Sequence, residues 1–253
     1  MKRLITLMVL ASSLFQVAKA QDSLKIMSYN LRFGERASMV EIGEYIKSEA
    51  PDIVAVQECD WNTGRAAKYN PDGRQYTNIL GSTAGMFPLY ARTINFSGGY
   101  YGIGILSRYP IIRSERIFLP NPENEEQRAM LMADIELPSG KIVTFVCTHL
   151  DYVSSDTQVA QVRHILKATR HHDVVFLAGD MNAEPDSKAM TELRKKWDDL
   201  TNRDLTFSTD KPEVKIDYIY AKKGSGVELL STRVADEVRL SDHFPIISEV
   251  VIK

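Results

Sequence analysis

The sequence predicts an α/β fold in which two packed β-sheets carry helices on their outer faces. Three observations lead there. Short apolar, strand-like runs recur along nearly the whole chain, too many for one doubly wound sheet. Amphipathic helical stretches interrupt these runs. Residues 130–137 and 141–148 are joined by Pro138-Ser139-Gly140, a hairpin signal that makes part of the sheet antiparallel.

The elements follow in order. Lys2 and Arg3 precede an apolar stretch from Leu4 to Val17, too short to span a bilayer, and Ala18-Lys19-Ala20 has the form of a cleavage site. A signal peptide is expected over residues 1–20, with the mature domain over 21–253, exported to the periplasm or secreted. No Cys follows the site to carry a lipid anchor, and no later stretch reads as transmembrane. Strands are expected at 24–29 and 52–57, with a helix between them marked by Met39, Ile42 and Ile46 and followed by Pro51. A strand at 76–80 and a long loop over 81–99, rich in Gly, Pro and aromatics, come next. Strands at 102–107, 115–119, 130–137 and 141–148 follow. Val159, Val162, Ile165, Leu166 and Thr169 mark a second helix, with Ser154, Ser155 or Asp156 as N-cap. His171 and His172 end it and read, with His164, as surface histidines. A strand at 174–179, a helix through Met190, Leu193 and Trp197, and strands at 216–221, 226–233 and 246–252 complete the chain. Without a linker or repeat, one domain and a monomer are expected.

The balance of 31 basic against 33 acidic residues excludes a global basic footprint. Loss of Lys2, Arg3 and Lys19 would make the mature chain more acidic still. Nucleic acid remains a possible substrate that charge does not indicate. Cys59 and Cys147 sit in or beside strand-like runs and are expected as free, buried thiols. Two cysteines without clustered histidine make no zinc site.

Polar clusters stand at the tips of the apolar runs. Ser28-Tyr29-Asn30, Gln57-Glu58, Thr148-His149-Leu150-Asp151 and Gly179-Asp180-Met181-Asn182 close four of them, while Ile216-Asp217-Tyr218 and Ser241-Asp242-His243 open two more. One such cluster is a cap or a turn; six suggest catalytic groups gathered at a sheet rim. Glu58, Asn30 and Asp242 are hard oxygen ligands that suit Mg²⁺, with Mn²⁺ as the alternative ion. Asp180 beside Asn182 could orient and deprotonate a water. His149 and His243 could donate hydrogen bonds to a phosphoryl group, and Asp217 could fix one imidazole tautomer. Together they describe a metal-assisted phosphoester hydrolase. A serine triad at Ser241-Asp242-His243 fails, because adjacent residues cannot form the relay and no G-x-S-x-G elbow is present.

The ordered set of six clusters resembles the endonuclease/exonuclease/phosphatase superfamily over about residues 24–252. The resemblance implies a four-layer α/β sandwich with its site at one rim. It also implies Glu58 as principal Mg²⁺ ligand, with Asn30 and Asp242 nearby, and Asp180 at the attacking water with Asn182 beside the phosphate. By the same likeness His243 is the essential histidine partnered by Asp217, His149 is the second phosphate-facing histidine, and Arg128 matches an arginine often carried before a central strand. One departure stands out: several members place a carboxylate near the position of Gly98-Gly99 to support the second histidine, whereas Tyr100 and Tyr101 follow here. The segments Gln57-Glu58-Cys59-Asp60 and Asn62-Thr63-Gly64-Arg65 resemble exported bacterial members.

The substrate is open among DNA, RNA, phospholipids and inositol or sugar phosphates. Arg65, Arg128 and Tyr100 are candidate substrate contacts; Lys68, Arg74, Arg92, Phe87, Tyr90, Phe96 and Tyr101 lie in neighbouring segments. A non-catalytic phosphate- or ligand-binding protein on the same fold is the alternative function. The presence of Glu58, Asp180 and His243 favours the enzyme.

Overall fold

The computed structural model describes residues 22–253, so the expected signal peptide at 1–20 lies outside the described residues. In chain order the elements are β1 (Asp22–Asn30), α1 (Met39–Glu49), β2 (Ile53–Trp61), α2 (Gly64–Tyr69), α3 (Tyr76–Ala84), β3 (Phe87–Phe96), β4 (Gly99–Ser107) and β5 (Ile111–Phe118). Then come β6 (Ala129–Glu136), β7 (Ile142–His149), α4 (Ser155–Ala168), β8 (Val175–Asp180), α5 (Lys188–Arg194), β9 (Trp197–Asp199), β10 (Asp217–Lys222), β11 (Val227–Val234) and β12 (Ile246–Ile252).

They form two six-stranded mixed sheets, ordered β11-β12-β1-β2-β4-β3 and β5-β6-β7-β8-β10-β9. Each sheet has one parallel pair at its centre, β1 with β2 and β7 with β8. A parallel pair needs a crossover, and α1 and α4 supply it. β7 and β8 therefore stop side by side, with His149 level with Asp180, while β1 stops at Asn30 level with Gln57 and β2, past the strand 52–57 expected from the sequence, runs on to Trp61 against β4.

Side-chain alternation builds the layers. Leu24, Ile26, Ile53 and Ile105 of the first sheet meet Leu131, Phe145 and Phe176 of the second in the central core. The opposite faces, with Met27, Tyr29, Val54 and Val56, pack under α1 and α3. Val146, Val175 and Leu177 pack under α4 and α5. The four-layer sandwich is thus the fold, and strands buried on both faces explain the near-continuous apolar runs. Ser38 caps α1 through a full capping box with Glu41, and Ser154 caps α4 by accepting from the Thr157 N–H. Both cysteines are buried and free.

Three expectations are corrected. Residues 76–80 are helical, not a strand: Tyr76, Thr77, Leu80 and Gly81 bury one helical face of α3, and Gly85, in the left-handed region at φ 70°, ends it. Residues 81–99 are not a loop. Most of the segment is β3, which turns through Ser97-Gly98 and pairs with β4. Trp197 opens β9 instead of extending the third expected helix, which stops at Arg194.

Candidate active site

The two pairs of strand ends meet across the sandwich. At the end of β1 the Asn30 side chain uses its Nδ2 as a bridge, donating to Glu58 Oε1 at 3.2 Å and to Asp180 Oδ2 at 3.0 Å. One amide thus ties the first sheet to the second. Its Oδ1 is occupied by the backbone N–H of Arg32 at 3.0 Å. Glu58 reaches the cleft through an irregularity in β2. The β2–β4 register shifts between Val56 and Cys59, and Glu58 sits in the left-handed region at φ 58°. Burial raises its carboxyl pKa against the opposing pull of His243 and Asn30.

Asp180 is the hub. Beyond Asn30, its Oδ2 lies 3.5 Å from His149 Nε2 and 3.7 Å from His243 Nε2, and its Oδ1 accepts from the Asn182 N–H at 2.8 Å. Burial, then the negative charge of Asp217, push its carboxyl up to about 7. Gly179 makes room just before it: a Cβ there would stand 2.0 Å from the Thr148 carbonyl oxygen.

The two histidines differ in charge. His243 Nδ1 is 2.9 Å from Asp217 Oδ2, and Phe207 lies against the ring at 4.8 Å between centroids. Burial alone would lower the imidazole pKa, but Asp217 and Asp180 outweigh it and carry it up to about 10. His149 is held well below its ordinary value by burial, then by the positive charges of Arg128 and His243. At neutral pH His243 is an imidazolium and His149 a neutral imidazole.

Arg128, just before β6, is buried, pairs with Glu126 at 3.1 Å, and keeps an Nε with no partner among the described residues. Its guanidinium sits 5.7 Å from the Tyr152 ring. The two tyrosines of β4 alternate. Tyr100 is exposed with its ring under Arg92, whereas Tyr101 is buried against Phe96, with its pKa raised by burial and by Glu58. Tyr101, not Tyr100, is the tyrosine on the site side. Arg65 forks onto Asp60 through Nε at 2.9 Å and Nη2 at 2.8 Å.

Two more expected residues sit in altered company. Asp242 is ion-paired with Arg32 Nη1, so its carboxylate is shared with a cation from the loop after β1. Asn182 gives its side-chain N–H to the Leu150 carbonyl at 3.0 Å, while its backbone pins Asp180. Sequence reasoning missed Arg32 and Phe207. Arg32 comes into range through a backbone at φ 43°, and Phe207 through a bridge to His243; neither leaves a pattern in the sequence.

A divalent cation fits these residues by donor chemistry. Glu58 offers carboxylate oxygen to the cleft with only the Asn30 amide on it, and Asp217 keeps a buried Oδ1 without a partner among the described residues. Asp180, Asp217 and His243 also lie with side-chain donor atoms within 4.8 Å of one another, although His243 as an imidazolium offers no lone pair and leaves the fit to the carboxylates. Oxygen-rich sets of this kind suit hard ions.

Comparison with known proteins agrees with this geometry. The model of the Endonuclease/Exonuclease/phosphatase family matches residues 27–243. The Escherichia coli protein YbhP is 25% identical over 248 residues, covering 91% of this chain and 97% of its own. An endonuclease/exonuclease/phosphatase from Bacteroides vulgatus superposes with a TM-score of 0.74 at 18% identity, covering 92% of this chain and all (100%) of its own. A mannosyl-6-phosphatase from Bacteroides thetaiotaomicron does so with 0.73 at 16% identity, covering 90% and 100%. From its six clusters, its layered sheets and the matched span, the chain belongs to the endonuclease/exonuclease/phosphatase family.

Proposed function

We propose that the chain is a Mg²⁺-dependent phosphoesterase that hydrolyses a phosphodiester or phosphomonoester by in-line attack of an activated water. The observation that carries this reading is the hub at Asp180: one buried carboxylate within reach of His149, His243 and the Asn30 amide that also holds Glu58. The family's members are hydrolytic phosphoesterases that generally use divalent metals.

Each group then has a task set by its charge. Asp180, with a pKa near 7, accepts or aligns the proton of the attacking water. His243, cationic and held by Asp217, donates from Nε2 to a phosphoryl oxygen as charge builds there. Neutral His149 donates a second hydrogen bond, and the unpartnered Arg128 Nε a third. Asn182 fixes the Asp180 carboxylate through its backbone N–H. Glu58 would hold the Mg²⁺, with Asn30 and Asp242 beside it. When bound, the ion would supply Lewis-acid polarisation of the phosphoryl group.

On this reading residues 1–20 are a removed export signal, and residues 21–253 act as a monomeric domain outside the cytoplasm. No helix of the described residues is long and apolar enough to cross a membrane. The acidic composition favours small-molecule or lipid esters over nucleic acid, and the mannosyl-6-phosphatase of like fold adds sugar phosphates to the classes worth testing.

The test is a screen of purified protein with Mg²⁺ or with EDTA. It covers mono- and bis-aryl phosphates, hexose phosphates, sphingomyelin, phosphoinositides, plasmid DNA and RNA, with Asp180→Asn as control. Hydrolysis should vanish in EDTA, return with Mg²⁺, and fall about 10²-fold or more in the variant. Equal rates in EDTA or in Asp180→Asn would sink the mechanism. Binding without hydrolysis of any ester would move the chain to the non-catalytic class.

A further inference from the structure

Beside Glu58 the structure builds a second polar feature that the hydrolytic groups do not use. Arg65, at the start of α2, is locked on several sides. Its Nε and Nη2 fork onto Asp60, a carboxylate with 0% exposure that also accepts from the Thr63 hydroxyl at 2.7 Å. Its guanidinium carbon lies 3.9 Å from the Phe33 ring centroid, 4.5 Å from Phe96 and 5.2 Å from Tyr101. Nothing among the described residues takes Nη1, and the side chain keeps 21% exposure. Asp60 follows Glu58 by two residues on β2, so the fork holds Arg65 near the expected metal position.

Assembling this cage is costly. Arg32 and Phe33 are both in the left-handed region, at φ 43° and φ 42°, and that backbone sets the Phe33 ring on Arg65. Non-glycine residues adopt this conformation at a cost, and such strain concentrates at functional sites. Gly64 and Gly99 let the three segments close on each other. A Cβ on Gly64 would meet the Ser97 hydroxyl at 2.9 Å, and one on Gly99 the Trp61 carbonyl at 2.4 Å.

We propose that Arg65 is the specificity-determining residue of the cleft, and that its Nη1 edge hydrogen-bonds the hydroxyl groups of a polyhydroxylated leaving group such as that of a sugar phosphate. The inference rests on the phosphoesterase reading above. Charge balance selects this class. Asp60 already neutralises Arg65, so the remaining N–H groups donate with no net positive charge behind them. A second oxyanion would find no excess cation at this pair to draw it in. A hydroxyl needs no such cation, and the rings beside it offer apolar surface to the C–H face of a sugar. A site built to hydrogen-bond a hydroxyl rejects an analogue that lacks it.

The experiment compares kcat/KM, with Mg²⁺, for glucose 6-phosphate, cyclohexylmethyl phosphate and 3-carboxyphenyl phosphate. The first two share ring size and ester type and differ in the hydroxyls and the ring oxygen. The wild-type ratio of glucose 6-phosphate to cyclohexylmethyl phosphate should be about 10 or more, the worth of one or two hydrogen bonds. It should fall toward one in Arg65→Lys, which keeps the charge on Asp60 but loses the fork, and in Arg65→Met/Asp60→Asn, which leaves no buried charge unpaired. Thermal melts establish that both variants fold. A ratio unchanged in the variants, with both esters slowed alike, makes Arg65 a brace for Glu58 and overturns the proposal. Wild-type preference for the carboxylated ester overturns it as well. Failure of the wild type to hydrolyse any phosphate ester overturns the phosphoesterase reading and this inference together, which marks that result off from the other two.

Discussion

Asp217 shows how one carboxylate sets the charge of the site. Its Oδ2 holds His243 Nδ1 at 2.9 Å, and with Asp180 it lifts that imidazole to about 10. Asp217→Asn should bring the His243 pKa down by several units toward its ordinary value, which NMR titration of the ring would read. The rate should fall about 10²- to 10⁴-fold, as for loss of a general acid. In the wild type the rate should rise with pH as Asp180 ionises near 7 and decline only as His243 loses its proton near 10. The variant should lose the alkaline part of that plateau first. Stability carries the same sign. A histidine raised in the folded state contributes fully below its unfolded pKa of 6.5, and the contribution is lost as pH rises through about 10. An Asp217→Asn variant with an unshifted alkaline limb would separate His243 from this carboxylate.

The elements explain what could be read from the sequence. The polar tips Asn30, His149 and Asp180 were legible because they close their strands, where a chemical cluster has no packing role; Glu58 was legible because it follows the last residue of β2 that pairs with β1, although β2 itself runs on to Trp61. The helix α3 was not legible as a helix. Residues 76–80 are short, and in so short a run helical and strand spacings coincide. The strand β3 read as a loop because it is an edge strand whose outward face carries polar and aromatic residues. The roles of Arg32, Tyr101 and Asp242 were hidden for another reason: a left-handed backbone and a single step of alternation decide which side chain faces the cleft. Two substitutions test the element scale. Ser38→Ala removes the side-chain arm of the α1 capping box, leaving the residue-38 backbone N–H on Glu41, and should cost about 1 kcal/mol in urea unfolding. Gly179→Ala must move either its own strand or Thr148, and should cost roughly 1–3 kcal/mol while displacing Asp180 and lowering the rate. A Gly179→Ala protein with wild-type stability and rate would show that the rim tolerates shifts of this size.

At the scale of the molecule, the site belongs to neither sheet alone. Asn30 and Glu58 come from the first, His149, Asp180 and Asp217 from the second, and His243 from the chain entering β12. Activity should therefore report on sheet docking. In a urea titration, loss of hydrolysis and loss of far-UV circular dichroism should coincide, as in a two-state transition. Activity that disappears at clearly lower urea would mean that the rim opens before the sandwich does.

The pairing of β1 with β12 sets Asp22 level with Ile252. β1, at the start of its sheet in chain order, thus has no partner on that side until β12 is added, more than 200 residues later, and His243 comes with the stretch that enters β12. A chain cut before residue 243 would leave Leu24 and Ile26 of β1 without the neighbouring strand that covers their backbone, and Asp217 without its imidazole.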